Sequence, residues 1–327
     1  MPFYRCIPPA NGGGGGGSDS CGHITVVDNG VTYEPLISFK RDICYFTNAY
    51  GNYSTFNSPI TIGNKVLSSE NLCSGCRNFN SPVDMTNATS LSWLYNTFYG
   101  CWNFNLPINF PRSENLCVYH GVFQAASNYN QPTKFYLSTN VTSVIGSLYS
   151  AFAGCSSFNS RVDFEFLSGK SDNIKAMKYD FAFSGASNFN QPLLLRRVSG
   201  FNNLLNNAIS MECPLLIDLA NTGDSSYGVL TNTKVNTVII LNYAISPRNI
   251  QWFANSVGAT YYVDDVTNFS TKSQWLTESI RNSVSFTQVT NGLYNSAYNI
   301  YILNNVNDGC NYFNNFYYNC YGEYPTY

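Results

Sequence analysis

Charge is what this chain has least of. Only 11% of its 327 residues are Asp, Glu, Lys or Arg, and the net charge is -2. That composition cannot supply the basic stripe that a nucleic-acid binder needs. Histidine occurs twice, at His23 and His120. Nucleophilic catalysis by Ser or Cys needs a base beside it, and both histidines read as structural. No apolar run reaches 18 residues, so nothing in the sequence has the length of a membrane-spanning helix. The first residues, Met-Pro-Phe-Tyr-Arg-Cys-Ile-Pro-Pro, hold no apolar run of signal-peptide length and no small-residue cleavage site. The expectation is a protein not exported by the usual secretory route. Low charge does not mean disorder here, because 44% hydrophobic and 16% aromatic residues are ample for a core.

Other signatures are missing too. Eleven cysteines are an odd number, which cannot close into a complete intrachain disulfide framework. Cys73 and Cys76 have the spacing of half a zinc site, but no second pair follows at suitable distance, so no metal and no cofactor is expected. Gly12–Gly17 matches a phosphate-binding glycine pattern only because every position is glycine, and it reads as a flexible hinge. Gly169-Lys170-Ser171 ends like a phosphate loop, yet Phe164 stands where the first glycine belongs. Asp163 and Glu165 share a strand face, as a pair of glycosidase carboxylates would, but Arg161 shares it also and an ion cluster is expected. No catalytic residues are assigned, and no enzyme activity is expected.

What the chain has in abundance is repetition. Phe56-Asn57-Ser58-Pro59-Ile60 recurs as Phe79-Asn80-Ser81-Pro82-Val83, Phe104-Asn105-Leu106-Pro107-Ile108, Tyr129-Asn130-Gln131-Pro132-Thr133, Phe158-Asn159-Ser160-Arg161-Val162 and Phe189-Asn190-Gln191-Pro192-Leu193. A worn copy follows at Met211-Glu212-Cys213-Pro214-Leu215, and the successive steps are 23, 25, 25, 29, 31 and 22 residues. Periods of this size mark stacked supersecondary units. The phrase's aromatic residue should point into the core. Its Asn should bond to backbone of a neighbouring turn. Its Pro suits the entry to a short strand. Before each phrase, apolar residues such as Leu91, Leu94, Tyr95 and Phe98 are spaced as on one helical face, and Gly75, Gly100, Gly154 and Gly185 stand where such a helix would stop. Cys76, Cys101 and Cys155 occupy one repeat position that also accepts Ala126 and Ala186, as a small buried apolar site would. The core list is therefore Phe56, Phe79, Phe104, Tyr129, Phe158 and Phe189 with Cys76, Cys101 and Cys155.

The string Phe-X-Gly-Cys/Ala-Ser-X-Phe-Asn-X-Pro/Arg-hydrophobe, clearest at Phe152–Val162 and Phe183–Leu193, resembles the BspA-like leucine-rich repeats. These occur in surface proteins of bacteria, mycoplasmas and trichomonads and in some phage proteins. The resemblance covers roughly 46–290. It implies an α/β fold: a solenoid with a short parallel sheet, helices on its other side, and N- and C-terminal extensions. The expected division is a flexible glycine-rich extension (1–22), N-terminal cap strands (23–45), leucine-rich-type repeats (46–217), terminal repeats and a closing cap (218–290), and a Tyr/Asn-rich tail (291–327). By the same resemblance the closing unit comprises a strand at Thr260–Asp265, a short helix around Lys272–Trp275 and a last strand at Val284–Val289.

The expected function is a non-enzymatic phage virion protein, a tail, fibre-associated or capsid-surface component. The alternative is a bacterial or mycoplasma cell-surface adhesin of the BspA type. Expected partners are other virion proteins, copies of itself, and a host surface glycan or protein, with no nucleic acid and no membrane insertion. With 44 asparagines and few charges, recognition should run through amides and exposed rings. Trp93 and Trp102 lie outside the aromatic repeat positions and are the candidates for surface recognition, with inter-repeat packing as the plainer reading of both.

Overall fold

A computed structural model describes residues 26–28, 31–33, 37–40, 43–47, 54–116, 118–138, 146–167, 176–219, 228–241, 260–264, 287–289, 292–295, 300–303 and 307–325. The glycine hinge, His23, the 1–22 extension and the expected 272–275 helix lie outside the described residues. The chain divides into two compact units, Met1–Ile174 and Lys175–Tyr327.

The first unit opens with two antiparallel hairpins. β1 (Val26–Asp28) pairs β2 (Val31–Tyr33), and β3 (Ile37–Lys40) pairs β4 (Ile43–Thr47). Every later pairing described in this unit is parallel. β4 lies beside β6 (Val66–Glu70), β5 (Ile60–Thr61) beside β7 (Val83–Asp84), and β8 (Thr133–Ser138) beside β10 (Val162–Leu167). The strands that begin at Ile60, Val83, Thr133, Leu193 and Leu215 each start just after the Pro of a phrase, which has no N–H to give a ladder, and β10 starts just after Arg161. β9 (Gly146–Ser147) ends a row of single bridges, Ser68 to Trp93, Trp93 to Val118 and Val118 to Ser147.

In the second unit the strands are β11 (Met177–Lys178), β12 (Leu193–Gly200), β13 (Leu215–Leu219), β14 (Thr237–Leu241), β15 (Thr260–Asp264), β16 (Thr287–Val289), β17 (Gly292–Asn295) and β18 (Ile300–Leu303). β11, β12, β13, β14, β15 and β18 run parallel in that order, and β18, β17 and β16 continue antiparallel. A single described helix, α1 (Asn307–Tyr321), follows.

The segments before the phrases are not helices, which corrects the helical reading of Leu91, Leu94, Tyr95 and Phe98. The reason lies in where the amides go. The N–H groups of Leu94, Asn96, Phe98 and Gly100 donate to the carbonyls of Val118, His120, Val122 and Gln124 in the next repeat, at 2.8–2.9 Å. Those of Tyr119, Gly121, Phe123 and Ala125 donate onward to Ser147, Tyr149, Ala151 and Ala153. A helix would need the same donors for its own carbonyls four residues back. Between these cross-links, local bonds such as Tyr99 N–H to Asn96 O and Cys101 N–H to Phe98 O close three-residue turns. Such turns bring side chains round often enough to imitate helical spacing. Peptide units thus line up head to tail in four columns that run from repeat to repeat.

This path needs two left-handed residues per repeat, four apart: Asn71 and Gly75, Asn96 and Gly100, Gly121 and Ala125, Ser150 and Gly154, Phe181 and Gly185, Asn203 and Asn207, Gly228 and Asn232. Gly121 has φ +55, and a Cβ there would stand 2.3 Å from Asn96 Oδ1. Gly121→Ala should therefore lower stability by about 1–2 kcal/mol for the left-handed backbone, plus the displacement of Asn96. Ala125, at φ +59, is the opposite case. Ala125→Gly should raise stability by about 1 kcal/mol. Denaturant midpoints of the two variants should move in opposite directions, and a shift of both the same way would contradict the pairing.

The core is aromatic and lies inside the stack. Phe56, Phe79, Phe104, Tyr129, Phe158 and Phe189 are all wholly buried. In the first unit their rings stack at 5.6, 5.5, 5.8 and 6.0 Å from Phe56 through Phe79, Phe104 and Tyr129 to Phe158. A second column, Phe98, Phe123 and Phe152, stacks at 5.7 and 5.5 Å. It interleaves with the first at 4.7, 4.0 and 4.3 Å.

The asparagine of the phrase makes its own ladder. Oδ1 of Asn57, Asn80, Asn105 and Asn130 accepts the backbone N–H of Asn80, Asn105, Asn130 and Asn159, at 2.7–2.9 Å. In the second unit Asn190 Oδ1 accepts from Glu212 N–H at 2.8 Å. An amide that caps the next turn in this way satisfies a donor the short strand leaves over. The residue after the Asn adds a bond to the preceding Asn carbonyl: Ser81 and Ser160 through their hydroxyls, Gln131 through its amide.

Candidate functional site

Cys76, Cys101 and Cys155 sit wholly buried beside the ring columns. Cys101 Sγ donates to Cys73 O at 3.0 Å and Cys155 Sγ to Phe123 O at 2.8 Å. Burial pushes the thiols of Cys101 and Cys155 well above the ordinary cysteine range. A neutral, buried thiol is a poor nucleophile. Under native conditions at neutral pH a maleimide reagent should modify exposed Cys320 within minutes and leave Cys101 and Cys155 untouched until the chain is denatured. Site-by-site mass spectrometry checks this, and native labelling of either buried thiol would contradict it. Among the described residues no group of three His, Cys, Asp or Glu side chains is placed to hold a metal ion.

Charged side chains gather on the outward face of β8 and β10. Glu165 takes Arg112 at 2.6 Å and Lys134 at 2.7 Å, and Arg161 Nε donates to Asp163 Oδ1 at 2.8 Å. The guanidinium of Arg112 and the ammonium of Lys134 lie 5.3 and 5.5 Å from the centre of the Tyr136 ring. Lys134, and then Arg112, hold the Glu165 carboxyl below the usual carboxylate range. Asp163 and Glu165 do lie on one strand face with Arg161. Both carboxylates are held by cations, so the group is an ion cluster. In the second unit, one face of the sheet is apolar. Leu194, Leu216, Ile239 and Leu241 pack with Phe313 and Tyr317 of α1.

The two tryptophans have different surroundings. Trp102 is 47% exposed, with the Arg77 guanidinium 4.3 Å from its ring centre. Trp93 is half-buried within the bridge row. They do not form one patch by any contact described.

A row that the sequence reading passed over lies next to Trp93. Tyr95 meets His120 edge-on at 4.7 Å, and His120 meets Tyr149 at 5.7 Å. Tyr149 is 44% exposed, and Tyr95 and His120 are half-buried. A signal for the row was present. The steps 95 to 120 and 120 to 149 are the same 25 and 29 residues that separate Phe104, Tyr129 and Phe158. Beside His120, the absence of a side chain at Gly121 lets the amide of Asn96 lie over the backbone. The Gln124 amide oxygen stands 3.1 Å from the same point.

Desolvation holds His120 below the ordinary histidine range. The unfolded chain therefore binds a proton more readily than the folded one, and stability is greatest above the ordinary value of about 6.5. As pH falls below that value, His120 should cost stability until it protonates in the folded state. In His120→Gln the decline between about pH 6.5 and 5 should be shallower. Urea titrations across that range check it, and identical slopes would contradict it.

A family model described as "Mycoplasma protein of unknown function, DUF285" matches residues 44–164 and 137–219, which together span more than half of the chain. Comparison with curated proteins and with solved structures found no match.

Proposed function

From the premise that this chain belongs to the family of mycoplasma proteins of unknown function, DUF285, a family related to the BspA-like repeat proteins, we propose a non-enzymatic structural and recognition role as a virion surface component. Its stacked units would form a solenoid of the BspA-like leucine-rich kind, with the glycine-rich 1–22 segment and the Tyr/Asn-rich tail serving assembly. The observation that carries this reading is the set of backbone columns. They repeat one geometry, so side chains at equivalent positions fall into long surface rows, and few of those side chains are charged. Such rows suit an extended partner surface. Partners in this reading are other virion proteins, further copies of the chain, and a host surface glycan or protein, with Trp102 as an exposed ring available to them.

A second reading, a cell-surface adhesin, is favoured by the mycoplasma origin in the family's description. One experiment separates the two. Mass spectrometry of gradient-purified particles from a lysed culture should detect this polypeptide at structural-protein abundance. Its absence there, with recovery by surface proteolysis of intact cells, would overturn the virion reading and support the adhesin.

A further inference from the structure

Tyr95, His120 and Tyr149 form a row of partly exposed rings, distinct from the wholly buried ring columns. Its rings lie along the repeat direction at 4.7 and 5.7 Å, and Tyr149 shows 44% of its surface to solvent. Tyr99, four residues after Tyr95, is 40% exposed. The amides of Asn96 and Gln124 approach each other over Gly121, next to His120.

Charge is sparse along the segment that carries the row. Between residues 85 and 160 the only Asp, Glu, Lys or Arg are Arg112, Glu114 and Lys134. Arg112 and Lys134 are both engaged with Glu165 and Tyr136 at the outward face of β8 and β10. The row thus combines ring faces, ring hydroxyls and side-chain amides with no cation among them; at the equivalent place one repeat earlier stands the exposed acid Glu70, and the N–H that follows it, of Asn71, donates to Tyr95 O.

We propose that Tyr95, His120 and Tyr149, with Asn96, Gln124 and Tyr99 beside them, form a binding site for a neutral glycan chain. The inference rests on the recognition role proposed above and names its ligand class. The C–H faces of a sugar ring stack on aromatic rings, and its hydroxyls exchange hydrogen bonds with amides and phenols. A polysaccharide running along the row would meet an equivalent side chain at each repeat. An anionic glycan or nucleic acid would lose its counterions and find no cation in the row to replace them. An apolar peptide would offer the exposed amides of the row nothing to hydrogen-bond.

The test uses the full chain against immobilised hexasaccharides of neutral hexoses and N-acetylhexosamines, with heparin and hyaluronan as anionic probes. At least one neutral hexasaccharide should bind, and its affinity should change little between low and physiological salt. Tyr149→Ala should weaken that binding roughly tenfold or more, as loss of an exposed aromatic anchor does. Gln124→Ala should weaken it as well, and Tyr318→Ala, on α1, should not. Melting curves of Tyr149→Ala and Gln124→Ala confirm that each variant is folded. The inference is overturned if the unaltered chain binds none of the neutral probes. It is equally overturned if binding is indifferent to both Tyr149→Ala and Gln124→Ala, if only the anionic probes bind in a salt-sensitive way, or if the row proves to mediate self-association. Detection of the chain in particles without glycan binding would sink this inference and leave the proposed function standing.

Discussion

Phe104→Ala should lower the stability of the first unit by about 3–5 kcal/mol, the range for a large core ring cut back to a methyl. The Phe104 ring stacks on Phe79 at 5.5 Å, on Phe98 at 4.7 Å and on Tyr129 at 5.8 Å, and none of it reaches solvent. Removing it takes away stacking on three sides as well as burial. The flanking repeats cannot close in on the gap. Asn103 N–H is tied to Arg77 O at 3.1 Å and Asn105 N–H to Asn80 Oδ1 at 2.9 Å, so the spacing of the turns is set by hydrogen bonds that the mutation leaves intact. A rigid cavity is the costly kind. Against a total of about 5–15 kcal/mol for an ordinary domain, the loss is a large fraction. Urea unfolding followed by near-ultraviolet circular dichroism would report it. Phe104→Leu should cost less, because it refills most of the space. A Phe104→Ala cost below about 1 kcal/mol would mean that the ring columns do not carry the core.

Phe313→Ala should release α1 from the second unit, with a cost again of about 3–5 kcal/mol if release is coupled to global unfolding. Phe313 is wholly buried and Tyr317 nearly so, against Leu216 of β13 and Ile239 of β14. Tyr321 adds a hydrogen bond from its hydroxyl to Gln191 Oε1 at 2.9 Å. The helix has little support of its own. Its 15 residues are mostly Asn, Tyr, Phe, Cys and Gly, which are poor helix formers, and no basic residue lies in its last turn. Gly322, at φ +73, closes it with an N–H bond to Tyr318 O at 2.7 Å. A helix of this length and composition does not persist alone in water. Hydrogen exchange read by mass spectrometry should show fast exchange across 307–321 in Phe313→Ala. Protection across the sheet should fall by less if the helix detaches as a local unit. Unchanged protection of the helix would falsify the view that docking on β13 and β14 is what forms it.

How much of this was legible beforehand varies from element to element. Tyr298-Asn299-Ile300-Tyr301-Ile302 alternates as a strand does, and β18 falls there, whereas the helix after it has no such plain signal. Cys310, Phe313, Tyr317 and Tyr321 do have helical spacing. The stretch is rich in Asn and Tyr, which are weak helix formers, so the spacing alone does not predict a helix. The reverse error occurred at Leu91–Phe98, where helical spacing belonged to turns. In both places the deciding factor was where backbone donors could find acceptors, and a neighbouring repeat or sheet face is invisible to a local window. The candidate site followed the same pattern. Trp93 and Trp102 drew attention by residue type, whereas Tyr95, His120 and Tyr149 come together only because three repeats stack in register.

The sequence by itself determined the repeat unit and its core: which rings are buried, where the small Cys/Ala position lies, and that each phrase's Asn would bond to a neighbouring turn. Those follow from side-chain type at a fixed offset, because a buried ring or a capping amide has the same consequence in every copy. Only the tertiary structure decided the backbone path between phrases, the left-handed pairs four residues apart, the pairing of Glu165 with Lys134, and the ring row on the surface. Each of these depends on an atom contributed by another repeat. Hydrogen bonds and ion pairs act over about 3 Å in space, and the partners here stand some twenty to thirty residues apart along the chain.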